Sequence, residues 1–406
     1  MTVRLSTSIR AEALHVTHTR ARRVAAGLGI SRVTDITRLD RAGVPVFASI
    51  RPDARPGSLC VNAGKGTRAA EARVGAYMEA IEFAFAEYNR AGLDIVSVPA
   101  RQVYEGAHRP DAILDFCPRM GAEIPLDDPL PCVAARDVTS GSAFWVPAEL
   151  VFLPLPEVLG PTWYFGASSN GLASGNNVLE ATVHALAEVI ERDIASFERA
   201  EDRSSLVRPE SLSGSLSRLI HQIERAGLTI HVRTAPNVYG LPYFAATVAD
   251  ETDLDPLLVN AGQACHPSRE VAFARAVCEA LQSRLSFIHG GRDDLLDTYQ
   301  RFADWSAERR IGHARALLAL ASGQSPRTAF SDVPDRMPES QELDAVLTVL
   351  LEAVGRVGVR HVLRIVYTPP TFPIQVVRVL VPGLELFGGS SARVGRRLRD
   401  YVRDRV

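Results

Sequence analysis

The sequence predicts a mixed α/β (α+β) fold on three observations. Short runs rich in β-branched residues alternate with amphipathic helical stretches. A Gly-bearing loop followed by a helix recurs three times. The tetrapeptide VNAG occurs twice, at 61–64 and 259–262. In each copy a glycine precedes a glutamate by a similar distance: Gly64 to Glu79, Gly171 to Glu188 and Gly262 to Glu279. This quasi-repeat predicts three strand-loop-helix units converging on one pocket.

Taken in order, residues 1–43 read as polar helix and turn, with no evident chemistry. Gly43 and Pro45 then turn the chain into a strand at 46–50. A loop at 51–58 leads to a short strand at 59–62 and the loop Gly64-Lys65-Gly66-Thr67, whose Thr67 is placed to cap a helix over 68–89. GKGT resembles the end of a phosphate-binding P-loop, but that motif needs glycine five residues before Gly64, and position 59 is leucine. The helix sets Glu79 and Glu82 one turn apart, with Ala72, Gly75, Ala76 and Ala86 on the same face, so that a backbone or ligand can approach. From 92 to 163 the chain reads as Pro-rich strands and turns, a scaffold and substrate wall.

The stretch 168–199, SSNGLASGNNVLEATVHALAEVIERDIASFER, is the centre of this reading. Gly171 and Gly175 give backbone freedom, and Asn176 or Asn177 can cap a helix starting near Val178. At 100° per residue, Leu179, Val183, Leu186, Ala187, Ile190, Ile194 and Phe197 share one arc, while Glu180, His184, Glu188 and Glu191 share another. Ala181, Thr182, Ala185, Val189 and Ser196 extend the packed surface, which predicts a helix covered on most of its circumference. Carboxylates in a row there, with Arg192 spaced four residues from Glu188, repel one another unless a cation is present. A hard ion such as Mg²⁺, which takes carboxylate and phosphate oxygens, resolves the conflict.

Residues 203–225 suggest a helix, followed by strands at 228–233 and 243–248. The third copy places a strand at 257–260, a loop at Gly262 and a helix at 268–289, with Arg275, Glu279, Gln282 and Ser286 on one face. Helices near 293–320 and 341–357, strands at 361–367 and 374–381, the segment VPGLE and a basic helical end at 391–406 complete the chain.

The 406 residues divide on this reading into an N-terminal segment (1–60), a core (61–290) and a C-terminal portion of the same domain (291–406). A formal net charge of −2 with mixed signs gives no footprint for nucleic acid or a bilayer. No apolar run of about 18 residues occurs, so a cytoplasmic protein is expected. The five cysteines, scattered and never in CxxC spacing, predict reduced and mostly buried thiols. Lys65 is the only lysine among 45 basic residues, which invites a chemical reason for it.

With these units in hand the chain resembles the YcaO family of ATP-dependent peptide-backbone modifiers from about Gly27 to Phe387. GKGTRAAEARVGAYMEAIE, SNGLASGNNVLEATVHALAEVIERD, REVAFARAVCEALQSR and VPGLE carry the resemblance. It implies a YcaO-like fold around a central ATP site, in which Glu79, Glu82, Glu188 and Glu191 hold Mg²⁺. Lys65, Asn176, Glu180, Arg192, Arg275 and Glu279 then complete the nucleotide cradle. Phe83 and Gly75 depart from the family pattern, which often has Arg and Ser there. The implied chemistry adds a nucleophile to a backbone amide and phosphorylates the oxyanion, without a side-chain nucleophile. The opening SRVTDITRLDRAGVPVFASIRP looks like stand-alone members that work beside a TfuA-like partner, which favours thioamides. Azoline formation with an E1-like partner, or a nucleotide-binding accessory role in ribosomal protein methylthiolation, are the other implied readings. The substrate is a peptide or protein, and a homodimer is among the compatible assemblies.

Overall fold

The computed structural model describes residues 2–88, 90–104, 111–323, 326–388 and 392–405. Along the chain these form β1 (Val3–Arg4), β2 (Ile9–Arg10), α1 (Leu14–Ala25), β3 (Arg32–Asp35), β4 (Val46–Ile50), β5 (Val61–Lys65), α2 (Ala69–Ala86), β6 (Val96–Pro99), β7 (Pro129–Asp137), β8 (Ala143–Pro147), β9 (Leu172–Gly175) and α3 (Val178–Ala200). There follow β10 (Ser205–Val207), α4 (Gly214–Arg225), β11 (Thr229–Thr234), β12 (Tyr243–Ala249), β13 (Asn260–Cys265), α5 (Arg269–His289), α6 (Leu296–Ala303), α7 (Ala307–Ser322) and β14 (Arg327–Thr328). The last elements are α8 (Leu343–Gly355), β15 (Leu363–Val366), β16 (Gln375–Leu380) and α9 (Arg396–Arg403). The mixed fold class is as expected, and the expected end of the second helix at Asn89 lies outside the described residues.

The chain compacts into two units: Met1–Ala54, Leu59–Ile81 and Arg203–Glu342 in the first, and Arg55–Ser58, Glu82–Asp202 and Leu343–Val406 in the second. The first holds a three-stranded sheet, β3-β4-β5, and a five-stranded one, β13-β12-β11-β10-β14. All pairings in them are antiparallel except β10 with β14. Helix α5 packs on both sheets: Phe273, Ala276, Val277 and Ala280 join the core over the larger one, and Leu285 packs with Ala63 and Val61 of β5.

The second unit is organised on the antiparallel sheet β6-β7-β15-β16-β9, with β8 paired to β7. Helix α3 covers β9 and β16, and α8 packs on α3. Fourteen residues of α3 are buried, from Glu180 to Ser196, which matches the expectation of a covered helix. Four cysteines are buried, Cys60 is half-buried, and all five are free thiols. Among the described residues no helix is long and apolar enough to cross a membrane.

Three expected elements are corrected. The stretch read as one helix over 203–225 opens with strand β10, held by non-local pairing to β11 and β14, and only its second half is helical. The strands read at 59–62 and 257–260 sit two to three residues further on, so Lys65 ends β5 and Gly262 lies within β13.

Candidate functional site

Gly64, Gly175 and Gly262 are contact points between a strand and the helix after it. A Cβ at Gly64 would overlap Ala72 O and Ala76 N of α2, and one at Gly262 would overlap Ala280 N of α5. At Gly175, the end of β9, a Cβ would lie 2.6 Å from Ala181 N. Gly64 and Gly262 are therefore strand residues and not loop residues, chosen because backbone meets backbone. Gly171 alone of the four has a left-handed φ, +73°, and packs on Val379 O.

That packing delivers the second helix start with its carboxylates. Asn177 caps α3, its Oδ1 accepting the Glu180 N–H at 2.8 Å. Glu180, only 1 % exposed, accepts from Asn176 Nδ2 at 3.1 Å. The Gly171 N–H points to Glu188 Oε1 at 3.4 Å, and Arg192 Nε stands 3.7 Å from the buried Glu191. In the same unit Ser174 of β9 donates its N–H (2.8 Å) and hydroxyl (2.6 Å) to Glu82 Oε1. The expected conflict of bare carboxylates is thus softened: amide, hydroxyl and guanidinium donors hold these side chains, aiming them as well as neutralising them.

In the first unit the solitary lysine has an acidic partner. Lys65 Nζ lies 2.5 Å from Glu279 Oε2, both side chains partly buried, and Glu279 Oε1 also accepts the Gln263 N–H at 3.4 Å. Buried His266 is pushed down to about 3 by desolvation and then by the charges of Arg275, Arg4 and Arg10, so it is neutral and accepts the Ser268 N–H at Nδ1, 2.9 Å. Arg4 and Arg10 therefore stand with Arg275 in one cationic neighbourhood, although nothing in residues 1–43 marked them. Arg4 also reaches Ser268 and Glu270, at 3.3 and 2.6 Å. Burial lowers the pKa of the Arg292 guanidinium, but Asp294 at 3.0 and 2.8 Å and then the half-buried Glu79 outweigh it and raise the pKa above its ordinary value.

Glu385 of the VPGLE segment does something else. It is 1 % exposed and accepts N–H groups from Gly395 (2.5 Å) and Leu398 (3.0 Å), the start of α9. Its own N–H donates to Asp193 of α3 at 2.6 Å, and Asp193 pairs with Arg397. This acid is a helix cap that ties α9 to α3.

Sequence spacing alone missed Ser174, His266, Arg4, Arg10 and Arg292; the Gly-Gly before Arg292 was the one local cue. Among the described residues no three His, Cys, Asp or Glu side chains gather as a ready-made metal cage. Within the second unit, Glu82, Glu188 and Glu191 offer only oxygen, the donor that Mg²⁺ uses when it binds one or two carboxylates together with phosphate oxygens.

The fold is a mixed one in which helices packed on strand glycines carry partly or fully buried carboxylates. The chain belongs to the YcaO family: the family model described as YcaO cyclodehydratase, ATP- and Mg²⁺-binding, matches residues 63–385. It is 33 % identical over 381 residues to an uncharacterized protein of Methanothermobacter thermautotrophicus, covering 92 % of this chain and 94 % of that one. A protein in the tfuA 3′ region of Rhizobium leguminosarum bv. trifolii is 32 % identical over 387 residues, covering 92 % and 88 %. Among solved structures, YcaO from Methanopyrus kandleri bound with AMPPCP and Mg²⁺ superposes with a TM-score of 0.74 at 24 % identity, covering 97 % of each chain.

Proposed function

We propose that the chain activates a backbone amide of a peptide or protein by ATP- and Mg²⁺-dependent O-phosphorylation, forming a thioamide beside a TfuA-like partner. Family membership supports the ATP chemistry. The relative in a tfuA 3′ region, similar over 92 % of this chain, is the observation that carries the thioamide reading.

In this reading sulfide adds to the amide carbon and makes an oxyanion. The oxyanion takes the γ-phosphoryl group, ADP leaves, and inorganic phosphate then departs with the former carbonyl oxygen as the C=S bond forms. Mg²⁺ supplies charge neutralisation along the phosphates. Glu79, Glu82, Glu188 and Glu191 are its proposed ligands, and the hydrogen bonds from Ser174 and Gly171 support this by fixing two of them in place. Lys65, Arg275 and Arg192 are proposed to meet phosphate oxygens, with Asn176, Glu180 and Glu279 orienting the cradle. No side chain need act as nucleophile, so the protein's part is alignment and electrostatic stabilisation.

The family's description as cyclodehydratase favours a second reading, azoline formation from a Cys, Ser or Thr of the substrate with an E1-like partner. The test incubates the protein and its partner with MgATP, sulfide and a candidate peptide, reading phosphate release and product mass. Exchange of oxygen for sulfur supports thioamidation, and loss of water supports azoline formation. Absence of peptide-dependent phosphate release overturns both and favours an accessory role.

A further inference from the structure

We infer that the sheet face where β7, β8 and β15 meet is a docking surface for an acidic, extended polypeptide segment. Arg364 of β15 and Arg136 of β7 are directly opposite each other in the antiparallel register, so both side chains leave the same face. Like charges in that position repel. Among the described residues the half-buried Arg364 donates only to Thr182 Oγ1 of α3, at 3.2 Å; Arg136 is exposed and donates to Gly141 O, at 3.2 Å. Among the described residues no carboxylate pairs with either. Burial pulls the Arg364 guanidinium below its ordinary pKa, and no acidic neighbour offsets it.

The same face continues outward. Ala134 pairs with Trp145 and Arg136 with Ala143, and Ala134, Ala143 and Trp145 are all exposed, Trp145 at 38 %. Phe144 turns to the opposite face, where it packs on Tyr104 and His361 at 5.7 and 4.8 Å between ring centres. Among the described residues strand β8 pairs only with β7, which leaves its other side as an edge. An exposed tryptophan beside two arginines is the composition that anchors polypeptide partners, and an edge strand can accept an extended segment through its backbone. A partner carboxylate between the two guanidiniums would relieve both the repulsion and the burial of Arg364, taking paired N–H donors from each. Charge complementarity thus selects an acidic occupant.

The inference deepens the proposed function by giving the chemistry of its peptide or protein partner, but its test needs no turnover. Fluorescein-labelled hexaglutamate is titrated against the full chain in saturating MgATP, with hexalysine and inorganic phosphate as controls. The wild type should bind hexaglutamate and not hexalysine, and Arg364→Met and Arg136→Gln should each weaken binding by about tenfold, the worth of one charge-assisted pair. Arg364→Met should also leave the melting temperature unchanged or raised, because it removes a charge buried without an anion; should it fail to fold, Arg136→Gln at an exposed position decides. Unchanged affinity in the folded variants overturns the inference. So does Arg364-dependent binding of phosphate without binding of hexaglutamate, which would mark a small-anion site. If hexaglutamate binds as expected while no peptide stimulates phosphate release, the docking surface stands and the proposed reaction falls.

Discussion

The pair β13–α5 in the first unit and the pair β9–α3 in the second are built alike and charged differently. In both, glycine lets a helix backbone touch a strand, and a glutamate seventeen residues after a glycine accepts an N–H from the strand region: Gln263 to Glu279, Gly171 to Glu188. The surroundings then diverge. Glu279 meets Lys65, in a unit where Arg4, Arg10 and Arg275 gather about His266. Glu188 belongs to a helix that also presents Glu180 and Glu191, with Arg192 close to the latter. The comparison teaches that the repeat keeps a backbone contact and leaves the side chains free to differ, cations gathered near one copy and further carboxylates along the helix of the other.

The largest expected effect tests the shared design. Gly262→Val and Gly175→Val should each prevent folding, costing more than about 4 kcal/mol, because the new side chain meets Ala280 N of α5 in one case and Ala181 N of α3 in the other. Circular dichroism and soluble yield read this, and a folded Gly262→Val protein would break the comparison. Next comes the acidic copy: Glu188→Gln should weaken MgATP binding at least about a hundredfold, roughly 2.7 kcal/mol, with unchanged secondary structure. In the cationic copy, Lys65→Met should weaken ATP about tenfold while leaving the Mg²⁺ dependence of the remaining binding in place. Equal loss of Mg²⁺ dependence in both variants would erase the distinction between copies.

A pH dependence separates the two units as well. His266 has its pKa lowered from 6.5 to about 3 on folding, so the unfolded chain takes up the proton first. Its contribution is absent above pH 6.5, and stability falls as pH drops from there toward 3, by up to about 1.4 kcal/mol per unit. Asp137 in the second unit behaves differently. Burial raises it, but hydrogen bonds from Ser140, Thr139 and Val362 outweigh this and hold it below the ordinary 3.8, so the stability it lends is lost only as pH falls below that value. Denaturation midpoints between pH 7 and 4 should therefore fall in wild type and flatten in His266→Asn.

Much of this was legible in the chain. The helices α3 and α5 begin within a residue of the starts expected at Val178 and Ser268, since an apolar period and, for α3, a capping asparagine are local signals. The strand glycines were misread as loop residues because a glycine required by a helix backbone pressing on a strand carries the same local mark as one required by a turn. Strand β10 was missed because three residues gain their conformation from β11 and β14, distant in sequence. Arg4 and Arg10 were not legible at all: their place beside His266 is made by folding across some 260 positions, and no spacing records it.

The most direct test is calorimetric titration of a non-hydrolysable ATP analogue into wild type, Glu188→Gln and Glu191→Gln, with Mg²⁺ and with EDTA. The account predicts Mg²⁺-dependent binding to the wild type and its loss in both folded variants. Wild-type affinity for the Mg²⁺ complex in both variants would contradict it.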